Sequence, residues 1–109
     1  MSEDRVRPGD CLTMAEVRRG VDRLDEQIVG LIGERFRYMD AAARIKPHRD
    51  LVRDEGRKAE VLANVRRLAP AAGVDPEIAA SLYELLVEAS IAHEERRFDL
   101  LRSEGLPKG

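Results

Sequence analysis

Residues 13–46 read TMAEVRRGVDRLDEQIVGLIGERFRYMDAAARIK, and this stretch decides the fold. Apolar residues recur in it at alternating steps of three and four, which is the period of one face of an α-helix. This heptad row, in which Arg35 occupies one position, comprises Met14, Val17, Val21, Leu24, Ile28, Leu31, Tyr38, Ala42 and Ile45. Thr13 predicts an N-cap because Glu16 follows three residues later, and Pro47 must end the helix after Lys46. A monomer of this size could not cover so long a helix, so the row predicts an oligomer.

Two further helices are expected after a short polar loop at 47–51. The second should begin near 52–54 and end at about Ala69, with its inward residues at Val61, Leu62, Val65 and Leu68. Asp75, Pro76 and Glu77 supply the cap, the first-turn proline and the acidic first turn of a third helix, which should reach about Arg102. The prediction is an all-α domain at 13–103 with long, short and long helices. It is preceded by an N-terminal extension (1–12) and followed by a flexible tail (104–109).

Composition argues against several classes of function. Lys and Arg total 19 against 21 Asp and Glu, so the basic excess of a non-specific nucleic-acid binder is missing. No apolar run approaches the length of a membrane span. Cys11 is the only cysteine, so no internal disulfide can form, and a reduced, cytoplasmic protein is expected. The sequence has neither a zinc motif nor a glycine-rich phosphate loop, and we expect no metal and no cofactor.

Polar residues interrupt the helical rows at several positions. The cations in or beside apolar rows are Arg18, Arg35, Lys46 and Arg57, and on the third helix Ser90 and Glu94 are embedded among apolar neighbours. Each position has a simple structural explanation: an arginine can form an interfacial salt bridge or extend its head to solvent, and a serine can pack closely. Together, however, four cations make a poor core, because each buried charge needs a partner. They predict an apolar pocket lined with cations that binds a small dicarboxylate.

The spacing of two of these arginines bears on oligomeric state. Arg18 and Arg35 are seventeen residues apart, or about 25 Å along a straight helix. A small metabolite cannot bridge that distance. If both arginines serve one site, Arg18 must come from a second, antiparallel chain.

The sequence also resembles a known family. The likeness rests on Val17-Arg18-x-x-Val21-Asp22-x-x-Asp25, then Arg35, then Ala41-Ala42-Ala43-Arg44-Ile45-Lys46. These motifs resemble the all-helical class of chorismate mutase and its relative isochorismate pyruvate lyase, over about 14–98. The resemblance implies an intertwined homodimer of three-helix chains with two shared sites. It also implies a pericyclic rearrangement of chorismate to prephenate, which needs no nucleophile, metal or proton abstraction.

The resemblance implies roles for individual residues as well. Arg18 matches the arginine donated across the dimer, and Arg35 the arginine of the same chain that grips a substrate carboxylate. Lys46 matches the lysine that contacts a carboxylate and the ether oxygen. The remaining matches are Asp54 and Arg57 at the ring hydroxyl and a carboxylate, Ser90 near the ring carboxylate, and Glu94 facing the ether oxygen. Lys46, Glu94 and Arg35 are thus the predicted catalytic residues.

Two positions depart from the bacterial mutase pattern. Lys58 stands where those enzymes usually carry an acid, which affects recognition of the ring hydroxyl. Glu94 stands where bacterial mutases and the lyase carry glutamine; fungal mutases resemble this chain there, with a glutamate that must be protonated to donate a hydrogen bond.

Several functions stay open on the sequence. Asp54 and Ser90 look more like the mutase, whereas the segment around Cys11 and the pattern Arg35-x-x-Tyr38 look more like the lyase, which feeds salicylate formation. A mutase of aromatic amino acid biosynthesis is the favoured prediction and the lyase its alternative. A mutase for an amino-substituted chorismate is a further variant, against which Lys58 counts. An alternative of another class is a non-catalytic helical dimerisation module.

Overall fold

A computed structural model describes residues 6–103 of the chain. Within that range the structure has three α-helices and no β-strand: α1 (Met14–Ile45), α2 (Glu55–Leu68) and α3 (Pro76–Ser103). Short 3-10 turns lie at Pro8–Asp10, Arg49–Leu51 and Pro70–Ala72. The predicted all-α order of long, short and long helices is confirmed. The predicted tail at 104–109 lies outside the described residues.

The helix ends follow the local signals in the sequence. Glu16 accepts hydrogen bonds from the backbone N–H groups of Leu12 (2.7 Å) and Thr13 (3.2 Å), and its own N–H donates to the Thr13 hydroxyl at 3.2 Å. This is the predicted capping box. Asp54 and Asp75 cap α2 and α3 in the same manner, each accepting from a backbone N–H of the first turn. The helices therefore begin where side-chain acceptors satisfy unpaired donors.

The chain divides into two compact units, at 1–35 and 36–109. In the first unit, the segment after Val6 lies along the early turns of α1. The carbonyl oxygen of Val6 is 4.0 Å from where a Cβ of Gly20 would stand. An apolar cavity of about 250 Å³ lies there, with Val6, Cys11 and Val21 among its lining residues. The heptad row of α1 remains largely exposed in this unit, with Ile28 51% and Leu31 65% accessible.

The second unit contains the hydrophobic core. Its buried cluster consists of Ala43, Val52, Val87, Ile91 and Phe98, with Val61, Tyr83 and Leu101 packed against it. α2 packs on α3, so Val61, Leu62 and Val65 are partly buried as predicted. The expectation for Leu68 is wrong, because this side chain is more than half exposed at the last turn of α2, beyond the packed face.

Candidate functional site

Lys46 and Glu94 meet in the second unit. The Lys46 ammonium nitrogen lies 2.8 Å from Oε2 of Glu94 across 48 positions of sequence. The Glu94 side chain is only 4% exposed, whereas that of Lys46 is 29% exposed and reaches the surface. The ammonium approaches from a direction that does not make a hydrogen bond, and buried Oε2 has no hydrogen-bond partner within the described structure. Buried polar atoms in folded proteins usually have a hydrogen-bond partner, so this oxygen is a candidate contact for a ligand.

The face of α3 that carries Glu94 is largely apolar and buried. Ser90 is buried one turn before Glu94 on α3, and its hydroxyl donates to the carbonyl oxygen of Leu86 at 2.7 Å. Ile91 and Phe98 flank the same face and are also buried. Ser90 and Glu94 thus share one buried helix face, as the sequence predicted, and the hydroxyl of Ser90 already has an acceptor on its own helix.

Lys46 is held through its backbone as well as its side chain. Its N–H donates to Ala42 at 2.9 Å, and its carbonyl oxygen accepts from Nη2 of Arg102 at 2.6 Å. Nη1 of Arg102 donates to the carbonyl oxygen of Ala43 at 3.2 Å. Sequence reasoning assigned no role to Arg102. The signal that points to it is Pro47, since a proline leaves a carbonyl of the preceding helical turn without its usual donor.

The α2 residues of the predicted site lie at the start of that helix. Asp54 is its N-cap, and Oδ1 accepts from the backbone N–H of Arg57 at 3.0 Å. The Arg57 side chain is 69% exposed and donates to Glu60 at 3.1 Å. In the single chain the Arg57 side chain therefore lies at the surface, where an acid one turn later on α2 pairs with it.

Lys58 belongs to an ionic cluster between α2 and α3. Its ammonium contacts Glu84 at 2.6 Å and Glu88 at 2.7 Å, and Arg53 contacts Glu88 at 2.6 Å. Hydrogen bonds from Arg53 and then Lys58 lower the pKa of Glu88 to about 2. The hydrogen bonds to Glu84 and Glu88 raise the pKa of Lys58. The departure from the mutase pattern at Lys58 thus serves helix packing in this chain, with its charge committed to two acids of α3.

A second polar contact joins α1 to α3 beside Glu94. Nε2 of His93 donates to Oδ1 of Asp40 at 2.7 Å. The rings of His93 and Phe36 lie 4.7 Å apart between centroids. These contacts give His93 a structural role, because they hold α3 against the second half of α1.

Arg18 and Arg35 lie in the first unit, both on α1. Arg18 is exposed and Arg35 is partly buried. Since α1 is continuous from Met14 to Ile45, the separation of about 25 Å between them holds for the folded chain.

Two other features are absent from the part of the chain that the structure describes. Between 6 and 103, no group of three or more His, Cys, Asp or Glu side chains could hold a metal ion. Over the same range, no helix combines the length and the apolar character needed to cross a membrane.

Comparison with known proteins agrees with these observations. Residues 17–95 match the family model described as chorismate mutase type II. The chain is 31% identical over 87 residues to the isochorismate pyruvate lyase of Pseudomonas aeruginosa, which covers 80% of this chain and 86% of the relative. It is 29% identical over 76 residues to the chorismate mutase of Methanocaldococcus jannaschii, which covers 69% of this chain and 77% of that relative. With an all-helical fold and a family match across most of its length, the chain belongs to the chorismate mutase type II family.

Proposed function

We propose that this protein is a chorismate mutase, which rearranges chorismate to prephenate in a cationic, mostly apolar pocket. The observation that carries the proposal is the buried Oε2 of Glu94, which lies beside the Lys46 ammonium and lacks a hydrogen bond. A pericyclic step needs its dianionic substrate held in a compact conformation and a donor where charge develops on the ether oxygen. Lys46 and protonated Glu94 supply two such donors.

The remaining polar residues are proposed to bind the ends of the substrate. Arg18, Arg35 and Arg57 would hold carboxylates, since a guanidinium group matches a carboxylate with two parallel hydrogen bonds. Ser90 would lie near the ring carboxylate. Asp54 would meet the ring hydroxyl without help from Lys58, because Glu84 and Glu88 hold the Lys58 ammonium.

Isochorismate pyruvate lyase is the second candidate, favoured by the 31% identity to a lyase across 80% of the chain. It would use the same cations in another pericyclic step, so a direct assay decides between them. Purified protein is incubated with chorismate and with isochorismate, and prephenate and salicylate are measured separately. Prephenate from chorismate confirms the mutase, and salicylate from isochorismate alone overturns it in favour of the lyase. Turnover of neither substrate by a stable dimer would indicate the non-catalytic module.

The role of Glu94 has its own test in the pH dependence of kcat. Activity should fall as pH rises, because ionised Glu94 cannot donate a hydrogen bond to the ether oxygen. Glu94→Gln should flatten this profile, because an amide donates at every pH. Glu95→Gln is the matched control, since Glu95 is the next residue of α3 and pairs with Arg49 at 4.0 Å. The same slope in wild type and Glu94→Gln would contradict the assignment.

We further propose that the active form is an intertwined antiparallel homodimer in the cytoplasm, with Arg18 donated across the interface. The heptad row of α1 supports this, because Ile28 and Leu31 are at least half exposed in the single chain and a second helix would cover them. The separation between Arg18 and Arg35 supports it too, because one chain cannot bring both to one small ligand. The single cysteine, Cys11, fits a reducing compartment.

Mixing two inactive variants tests the shared site. Arg18→Ala and Lys46→Ala chains are unfolded together and refolded at equal concentration. Half of the dimers are then hybrids, and each hybrid contains one intact site, so activity should recover to about a quarter of the wild-type value. A mixture no more active than its two parents would show that Arg18 and Lys46 do not combine from different chains. Sedimentation equilibrium on the wild type checks the dimer directly.

A further inference from the structure

The carbonyl oxygen of Ala43, in the last turn of α1, lacks its usual backbone hydrogen-bond donor. In a regular helix the carbonyl oxygen of residue 43 accepts from the N–H of residue 47, but Pro47 has no N–H. Ala43 is completely buried, so water cannot easily replace the missing donor. A buried carbonyl without a partner is destabilising, and the last turn of α1 would open to avoid it.

Arg102 supplies the missing donor from the far end of α3. Nη1 donates to the Ala43 carbonyl oxygen at 3.2 Å, and Nη2 donates to the Lys46 carbonyl oxygen at 2.6 Å. Its guanidinium carbon lies 3.8 Å from the centre of the Phe98 ring, which holds the plane of the group in place. One side chain thus closes the last turn of α1 and fixes the backbone of the residue that follows it.

That residue is Lys46, and its two ends are held by the same face of α3. Glu94, Phe98 and Arg102 are spaced four residues apart and lie on successive turns. Glu94 contacts the Lys46 ammonium, while Arg102 binds the Lys46 carbonyl oxygen. Arg102 lies beyond 17–95, the part of the chain that matches the family model.

We propose that Arg102 is a positioning residue for Lys46: by replacing the N–H that Pro47 lacks, it holds the lysine backbone where the ammonium can reach both Glu94 and the substrate. The inference rests on the proposed function for its catalytic consequence, but its structural part does not depend on the substrate. A displacement of about 1 Å in a catalytic group can cost about 10²-fold in rate, so a loosened last turn should lower turnover.

The first measurement is amide hydrogen exchange followed by NMR in Arg102→Met, which keeps an unbranched apolar side chain over Phe98. The Lys46 N–H, bonded to Ala42, should exchange at least about tenfold faster than in wild type because its turn opens more often. The Lys58 N–H, bonded to Asp54 at the start of α2, should change by less than about twofold. Unchanged exchange at Lys46 overturns the proposal.

The second measurement is a double-mutant cycle of kcat and KM with whichever substrate the wild type turns over. Arg102→Met should lower kcat by about tenfold or more in the wild-type background. In the Lys46→Met background it should lower kcat by less than about twofold, because no ammonium remains to be positioned. Arg102→Lys, which can donate to one carbonyl, should recover part of the loss. An equal loss in both backgrounds overturns the proposal and assigns Arg102 a merely structural role.

Arg49→Met is the matched control. Arg49 joins the turn that follows α1 to α3, but it does so through Asp99 at 2.8 Å and not through the Lys46 backbone. In Arg49→Met, kcat and the exchange rate of the Lys46 N–H should stay within about twofold of wild type. A loss of kcat equal to that of Arg102→Met would overturn the specific role of Arg102. If the wild type turns over neither substrate, the proposed function fails, whereas faster exchange at Lys46 in Arg102→Met alone still supports the positioning of its backbone.

Discussion

Removing the charge of Lys46 should destabilise the protein more than removing the charge of Glu94. Lys46→Met leaves the Glu94 carboxylate in a place where its side chain is 4% exposed. Breaking a buried ion pair from one side typically costs 3–5 kcal/mol; since the Lys46 side chain is 29% exposed and water reaches that end of the pair, we expect about 3 kcal/mol. Glu94→Gln instead leaves an ammonium that can hydrate and an amide oxygen that can still face it, so the expected cost is about 1 kcal/mol.

Thermal unfolding at one protein concentration measures this difference. For a domain of this size, each kcal/mol lowers Tm by about 4–8 °C, so Lys46→Met should lose about 12 °C or more and Glu94→Gln about 4–8 °C. Arg66→Met, which removes an exposed ion pair to Glu77, is the control and should cost at most about 1 kcal/mol. The reasoning is refuted if Glu94→Gln is destabilised as much as Lys46→Met.

Three further predictions concern the ionic cluster between α2 and α3, the cap of α2 and the turn at Gly73. Hydrogen bonds from Arg53 and Lys58 lower the Glu88 pKa from its ordinary 4.5 to about 2. The stability that these bonds contribute is therefore complete above pH 4.5 and is lost as the pH falls toward 2. Urea unfolding across that interval should show a smaller loss of stability for Glu88→Gln than for wild type, and equal losses would contradict this. Asp54→Asn should keep the unfolding free energy of the wild type, because asparagine also caps helices, whereas Asp54→Ala should lower it by about 1 kcal/mol. Equal stability of the two variants in urea would argue against the cap. Gly73→Ala should lower the unfolding free energy by about 1 kcal/mol, because φ at Gly73 is 77°, a left-handed conformation that alanine disfavours. The space for a Cβ there is open, so no steric clash adds to the cost. An unchanged unfolding free energy would show that the backbone adapts.

Local chemistry explains why the helices could be predicted closely. The Thr13–Glu16 capping box, the Asp54 and Asp75 caps and the stop at Pro47 each act over a few residues, so their effects are readable without knowledge of the fold. The apolar period of α1 is likewise a property of one helix. Predicted ends and observed ends therefore differ by only a few residues.

The directions of long side chains were less predictable. The side chain of Arg57 lies at the surface, where Glu60, one turn later on the same helix, pairs with it. The ammonium of Lys58 is drawn to Glu84 and Glu88 of α3. A flexible cation pairs with whichever acid the packing of helices brings near, and that choice cannot be read from spacing along one helix.

The amino-acid sequence alone determined the three helices, the polar positions within their apolar rows and the likeness to chorismate mutases, because helix period, capping and motif spacing are properties of neighbouring residues. Only the tertiary structure decided that Lys46 and Glu94 meet at 2.8 Å and that Arg102 replaces the donor missing at Pro47. Both contacts join residues about fifty positions apart or more, and such contacts exist only after packing has brought α1 and α3 together.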